Sequence, residues 1–111
     1  MSIEVIASHE DWMSHPEPGL RRQVMSYSPS MMLVRHQMKK GWVGTRHSHP
    51  QEQMVYIVRG HLSFHHPGGV VEAKMGDSFL VPGNVEHQAF ALEDSEVLDI
   101  FAPCREDYAT S

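Results

Sequence analysis

Two histidines one residue apart, His47 and His49, are the part of this 111-residue chain best suited to chemistry. In an extended segment the side chains at i and i+2 leave the same face, so His47-Ser48-His49 presents two imidazoles side by side. A neutral imidazole offers one ring nitrogen as a lone pair and is the commonest protein ligand for a transition metal. Gln53 follows four residues later, on the same face if Pro50-Gln51-Glu52 keeps strand parity, and adds an amide oxygen. A one-residue slip would present the carboxylate of Glu52 instead. His87 supplies a fourth donor from a distant strand, entered through the turn-forming Pro82-Gly83-Asn84. Three imidazoles and one carboxamide form an N/O set with open positions, which suits one divalent ion among Ni, Fe, Mn, Co and Zn without choosing between them. None of the four ligands cancels cation charge, so the site stays at about +2 and favours an anionic substrate or a bound hydroxide. The plain alternative is that His47 and His49 are two solvated loop histidines. His9, His15, His36, His61, His65 and His66 are read as structural or surface residues.

The elements that must carry these ligands are short β-type runs cut by turn signals. Met31–Val34 leads into Lys39-Lys40-Gly41, Gln53–Val58 ends at Arg59-Gly60, and Leu62–Phe64 ends at Pro67-Gly68-Gly69. Val70–Ala73, Ser78–Val81, Val85–Leu92 and Glu96–Ala102 complete the series, and Arg105–Ser111 is expected as a turn or short helix. No window between Leu20 and Pro103 keeps a helical period, so the fold class is all-β, a sandwich or barrel. The length allows one domain, expected over residues 20–111, with residues 1–19 as an N-terminal arm.

Composition removes several partners. The formal net charge is -5, and the only cationic pairs are Arg21-Arg22 and Lys39-Lys40, too few for a phosphate backbone. No apolar run approaches the ~20 residues of a membrane span. Met1-Ser2-Ile3-Glu4 lacks the basic and apolar regions of a secretory signal, and the single Cys104 fits a reducing compartment, so the cytoplasm is expected. So short a chain buries a modest share of its surface and gains from self-association, which points to a homodimer.

The framework around the ligands resembles the two cupin motifs. The first reads G, five residues, H-x-H, three or four residues, E, six residues, G. Gly41, His47, His49, Gln53 and Gly60 fit it at every spacing, with Gln in place of Glu. The second reads G, five residues, P-x-G, two residues, H, three residues, N. Gly76, Pro82 and His87 fit, whereas Asn84 replaces the glycine and Ala91 stands at the final asparagine. The resemblance implies a single double-stranded β-helix, the jelly-roll barrel of the cupins.

In the last strand, alternation puts Val97, Asp99 and Phe101 on one face and Leu98, Ile100 and Ala102 on the other. With Asp99 inward, a carboxylate stands near the metal in a partly dry pocket and suits proton transfer. With the parity reversed it is a solvated strand residue; composition does not decide. The apolar trio, if outward, suits burial by a second subunit. This stretch through Pro103-Cys-Arg105-Glu106-Asp107, together with Ser28–Val34 and the histidine segment, is similar to KdgF-type cupins over about Leu20 to Tyr108. Those enzymes convert 4,5-unsaturated monouronates, released from pectin and alginate by lyases, into linear 5-keto-4-deoxyuronate. The resemblance implies metal ligands at His47, His49, Gln53 and His87, with functional residues at Asp99, Phe101 and Arg105. The implied partner is a small anionic sugar. For Arg105 the alternative is a surface ion pair with Glu106 or Asp107, and for Phe101 plain core packing. An iron-dependent dioxygenase and a non-catalytic sugar- or anion-binding module are the competing functions.

Overall fold

The computed structural model describes residues 2–110. Among the described residues nine strands form two antiparallel sheets. The larger runs β1 (Ser14–Glu17), β2 (Leu20–Ser28), β3 (Met31–Met38), β9 (Ser95–Ala102), β4 (Glu52–Arg59), β7 (Ser78–Val81) in spatial order. The smaller runs β6 (Gly69–Lys74), β5 (His61–His66), β8 (Gln88–Ala91). Residues 43–47 extend the smaller sheet through isolated bridges, Val43 to Phe90 and His47 to His87. A four-residue helix, α1 (Glu106–Ala109), follows β9. Strand alternation is clearest in β4 and β9, where Gln53, Val55 and Ile57 and Ser95, Val97, Asp99 and Phe101 all turn inward. The cupin barrel anticipated from the motifs is the fold observed.

Residues expected as an arm include β1, which pairs with β2 around Ser14 and Arg22; Met1 lies outside the described residues. The segment before β1 lies on the outer side of β2 and β3, where Gln23 Nε2 donates to Ala7 O (2.7 Å) and Glu10 accepts from Arg35 and Arg21, each at 2.9 Å.

Inside the barrel the residues sort into layers. Leu20, Met38, Val55, Ile57, Leu62 and Val97 belong to one apolar cluster, backed by Trp42 and Phe79. Met32, Val34 and Phe101 form another, against Val24 and Tyr108. Along three neighbouring strands a polar residue separates the two clusters: Arg22 between Leu20 and Val24, His36 between Val34 and Met38, and Asp99 between Val97 and Phe101. Buried polar groups need partners. These three find them in one another and in Gln53.

Candidate metal centre

The backbone joins the ligand-bearing segments directly. His47 and His87 exchange both backbone hydrogen bonds, N to O at 3.0 and 2.8 Å, so the two side chains stand opposite on one face. Asn84 N–H donates to His49 O at 2.7 Å, tying the turn before His87 to the H-x-H segment. The departure of Asn84 from the motif glycine has a backbone reason: its φ is 65°, and asparagine is among the few residues that tolerate this region. At Gly83 a Cβ would lie 2.4 Å from Pro50 O, so only glycine fits. Ala91, at the motif's asparagine position, is buried in the larger core cluster.

The three rings converge, with centroids 4.5 Å apart for His47–His87, 5.0 Å for His49–His87 and 5.5 Å for His47–His49. One ligand atom from each lies within 4.8 Å of the others. Every Nδ1 meets a backbone carbonyl two residues away: His47 at Thr45 O (2.7 Å), His49 at Gln51 O (3.0 Å) and His87 at Val85 O (2.8 Å). An Nδ1–H donated to a carbonyl fixes the tautomer and leaves Nε2 with its lone pair for a cation. Gln53 is held likewise, its Nε2 donating to Asp99 Oδ1 at 2.9 Å while Oε1 stands 3.0 Å from His49 Nε2. Two acceptors in contact repel each other unless a cation or a proton lies beside them. Burial holds the pKa of His49 below its ordinary value, with nearby Arg105 acting in the same direction, which disfavours the proton. A cation beside both lone pairs would turn that repulsion into shared ligation. The donor set therefore fits a divalent transition ion. His87 is likewise depressed by burial, which keeps its nitrogen available.

Glu52, the alternative ligand, is exposed, and Gln53 occupies the inward position. Asp99 faces inward and is 4% exposed, with Oδ2 2.6 Å from His36 Nδ1. The carboxyl group missing from the candidate ligand set thus stands one step out, on the partner of the Gln53 amide. Phe101 is fully buried in the core and also stands edge-on to His49 and Tyr108, so packing and site wall coincide. Arg105 makes the ion pair of the alternative reading, with Asp107 (Nη2–Oδ2 2.9 Å), which holds that carboxyl below its usual range. Its guanidinium nevertheless lies over the rings of Tyr108 (3.8 Å) and Phe101 (5.2 Å). Asp99, Phe101 and Arg105 border one cavity of about 270 Å³ together with His47, Gln53 and His87, whereas His49 stands behind its wall.

His36, read from the sequence as structural or surface, and Arg22 also line this cavity. Their signal was weak, because Arg22 sits in a basic pair and His36 in the polar run Arg35-His36-Gln37. Tyr108 was not singled out either; it lies beneath Arg22 (3.9 Å) as well as Arg105, and burial raises its pKa.

Comparison with known proteins agrees with this fold. The cupin domain model matches residues 34–101. The pectin degradation protein KdgF of Dickeya dadantii is 32% identical over 92 residues, 81% of this chain and 84% of that protein. The chain belongs to the KdgF-type cupins. The solved KdgF from a Halomonas species superposes on this cupin with a TM-score of 0.82 at 36% identity, covering 86% of this chain and 91% of the other. An RmlC-like cupin from Shewanella frigidimarina gives 0.83 at 31%, covering 91% and 93%. Salicylate 1,2-dioxygenase of Pseudoaminobacter salicylatoxidans, at 16% identity, shares the fold of this cupin alone. Among the described residues no helix is long and apolar enough to cross a membrane.

Proposed function

We propose that this cupin is a metal-dependent isomerase of pectin and alginate breakdown, converting 4,5-unsaturated monouronates to linear 5-keto-4-deoxyuronate. One observation carries the reading. A carboxylate, an arginine and three of the four candidate ligands share a cavity of about 270 Å³, just below the ~300–1,000 Å³ typical of small-molecule sites. That space suits one sugar ring and not a polymer. The relatives named above, one of them a pectin degradation protein, support the same direction.

His47, His49, Gln53 and His87 would hold the ion. When bound, the ion polarises substrate oxygens and offsets developing enolate charge. Arg105, braced by Asp107, presents its remaining N–H donors to the substrate carboxylate, a task a planar guanidinium does better than an ammonium. Asp99 carries the proton. The hemiacetal hydroxyl loses one as its carbon's bond to the ring oxygen breaks, which leaves an aldehyde and an enolate, and the same proton is delivered to C4 to give the ketone. No atom is gained or lost, so a single carboxylate can accept one proton and return one. Phe101 closes the cavity wall beside His49. Cys104 as a lone thiol fits a cytoplasmic setting.

The test is to supply a lyase-generated unsaturated monouronate and follow loss of its ultraviolet enol absorbance, with Asp99→Ala as the control for spontaneous opening. Equal rates with and without the protein would remove this function. Oxygen uptake with iron and no turnover of the uronate would favour a dioxygenase, and tight uronate binding without turnover a sensor.

A second copy of the chain is the proposed partner. Leu33, Ile100, Met54 and Leu80 are cross-strand neighbours on the outer face of the larger sheet, with Leu98 and Tyr56 beside them. Met54, Tyr56, Leu80 and Ile100 are all exposed. A row of this kind suits the self-complementary contact of a two-fold dimer.

A further inference from the structure

Arg22 and His36 belong neither to the ligand set nor to the residues given a role in the reaction. Register places them directly opposite on β2 and β3, and His36, paired with Val97, stands diagonal to Asp99 on β9. Gln53, paired with Phe101, is diagonal to Asp99 from the other side.

These positions build an unbroken line of contacts. Arg22 Nε donates to His36 Nε2 at 2.9 Å. His36 Nδ1 stands 2.6 Å from Asp99 Oδ2, and Gln53 Nε2 donates to Asp99 Oδ1 at 2.9 Å. Gln53 Oε1 then faces His49 Nε2 at 3.0 Å. The sense of every contact follows from its first member. A guanidinium has donors only. Its N–H on Nε2 makes that nitrogen the acceptor, so the ring proton resides on Nδ1. Nδ1–H must donate, and Asp99 accepts. The other carboxylate oxygen takes the Gln53 NH2, and the amide oxygen is left to face the imidazoles. A primary amide has no preference of its own here, because a half-turn about its last bond exchanges oxygen and nitrogen. With the NH2 inward, a cation would lose a ligand.

We infer that Arg22 and His36 are positioning residues that fix the proton order along this line and so keep the oxygen of Gln53, rather than its NH2, turned toward the metal. This rests on the metal-site reading and not on the uronate reaction. Arg22 is itself held by stacking over Tyr108, which couples α1 to the centre.

Two measurements without substrate test it. Long-range proton–nitrogen correlation spectra of the full chain should show His36 as the Nδ1–H tautomer, and in Arg22→Met a mixture of forms. Titration with Co²⁺ alone should show affinity falling ~10–100-fold in Arg22→Met and His36→Leu, the usual cost of losing a group that orients a ligand. His36→Asn, whose amide N–H can replace Nδ1–H, should recover to within about threefold, which separates donation from packing. In a Gln53→Ala background, His36→Leu should cost nothing further, because no amide remains to orient. Wild-type Co²⁺ affinity in both variants, an equal loss in the Gln53→Ala background, or an Nε2–H tautomer in the wild type would overturn the inference. None of these results bears on whether the uronate is turned over.

Discussion

Asp99→Asn isolates the proposed proton carrier with the smallest change of shape. The carboxylate is 4% exposed and takes two donors, His36 Nδ1 at 2.6 Å and Gln53 Nε2 at 2.9 Å. Asparagine has one oxygen and one NH2, so one of those donors meets another donor unless the Gln53 amide turns over, which would point its NH2 at the candidate ligands instead. A buried donor left unmatched costs about 1–3 kcal/mol, and the surviving contact loses the strength of a charged acceptor. We expect a loss of ~2–3 kcal/mol in stability, or roughly 10 °C in melting temperature for a domain of this size. The chemical loss is of another order. Removing a positioned acid/base costs about 10²–10⁴ in rate, or ~3–5 kcal/mol of barrier. The two effects separate when rates are measured well below the variant's melting temperature and divided by metal content. Loss of enol-ether absorbance is the assay. A folded, metal-replete Asp99→Asn that turns over within threefold of wild type would refute the assignment of the proton to Asp99.

Divalent metal at one hundred times its Kd should stabilise the fold by about 2.7 kcal/mol, seen as a melting-temperature rise of roughly 10 °C that a chelator reverses; no shift with any of Ni, Fe, Mn, Co or Zn would count against the site. The metal-free protein should lose stability as pH falls below 6.5. Burial depresses the pKa of His49 and His87, so the unfolded chain takes up protons that the folded chain refuses, and the slope is at most about 1.4 kcal/mol per pH unit for each ring. Urea midpoints that stay flat from pH 7.5 to 5 would contradict this. Gly83→Ala puts a Cβ 2.4 Å from Pro50 O and should cost about 1–3 kcal/mol in a urea melt together with weakened Co²⁺ binding; an unchanged midpoint would show that the turn yields freely. Ile100→Glu should convert a dimer to a monomer in sedimentation velocity, and a wild type already monomeric at micromolar concentration would remove the proposed interface.

The ligand segments were legible because their spacing is local: His47, His49 and Gln53 lie within seven residues, and turn residues announce His87. The orientation of Asp99 was not, because Val97-Leu98-Asp99-Ile100-Phe101 is apolar on both faces and hydrophobicity cannot choose a side. Pairing decides it, since β4 sets Gln53 against Phe101 and Val55 against Asp99, all facing inward. Arg22 and His36 were hidden for a related reason. β3 is buried on both faces, with Arg35 and Gln37 beneath Glu10 outside and His36 within, so three consecutive polar residues read as surface. What makes His36 a site residue is a contact with Asp99 63 positions away.

The backbone bonds between His47 and His87, and from Asn84 to His49, carry one more implication. They tie the rim of the candidate ion socket together through the backbone itself. Small zinc domains unfold when stripped of metal because the ion is their core. Here the core lies in the two apolar clusters, and the ion would be an insert. Ions should therefore exchange without the barrel opening, and the tenant of the socket should follow the supply of metals around it.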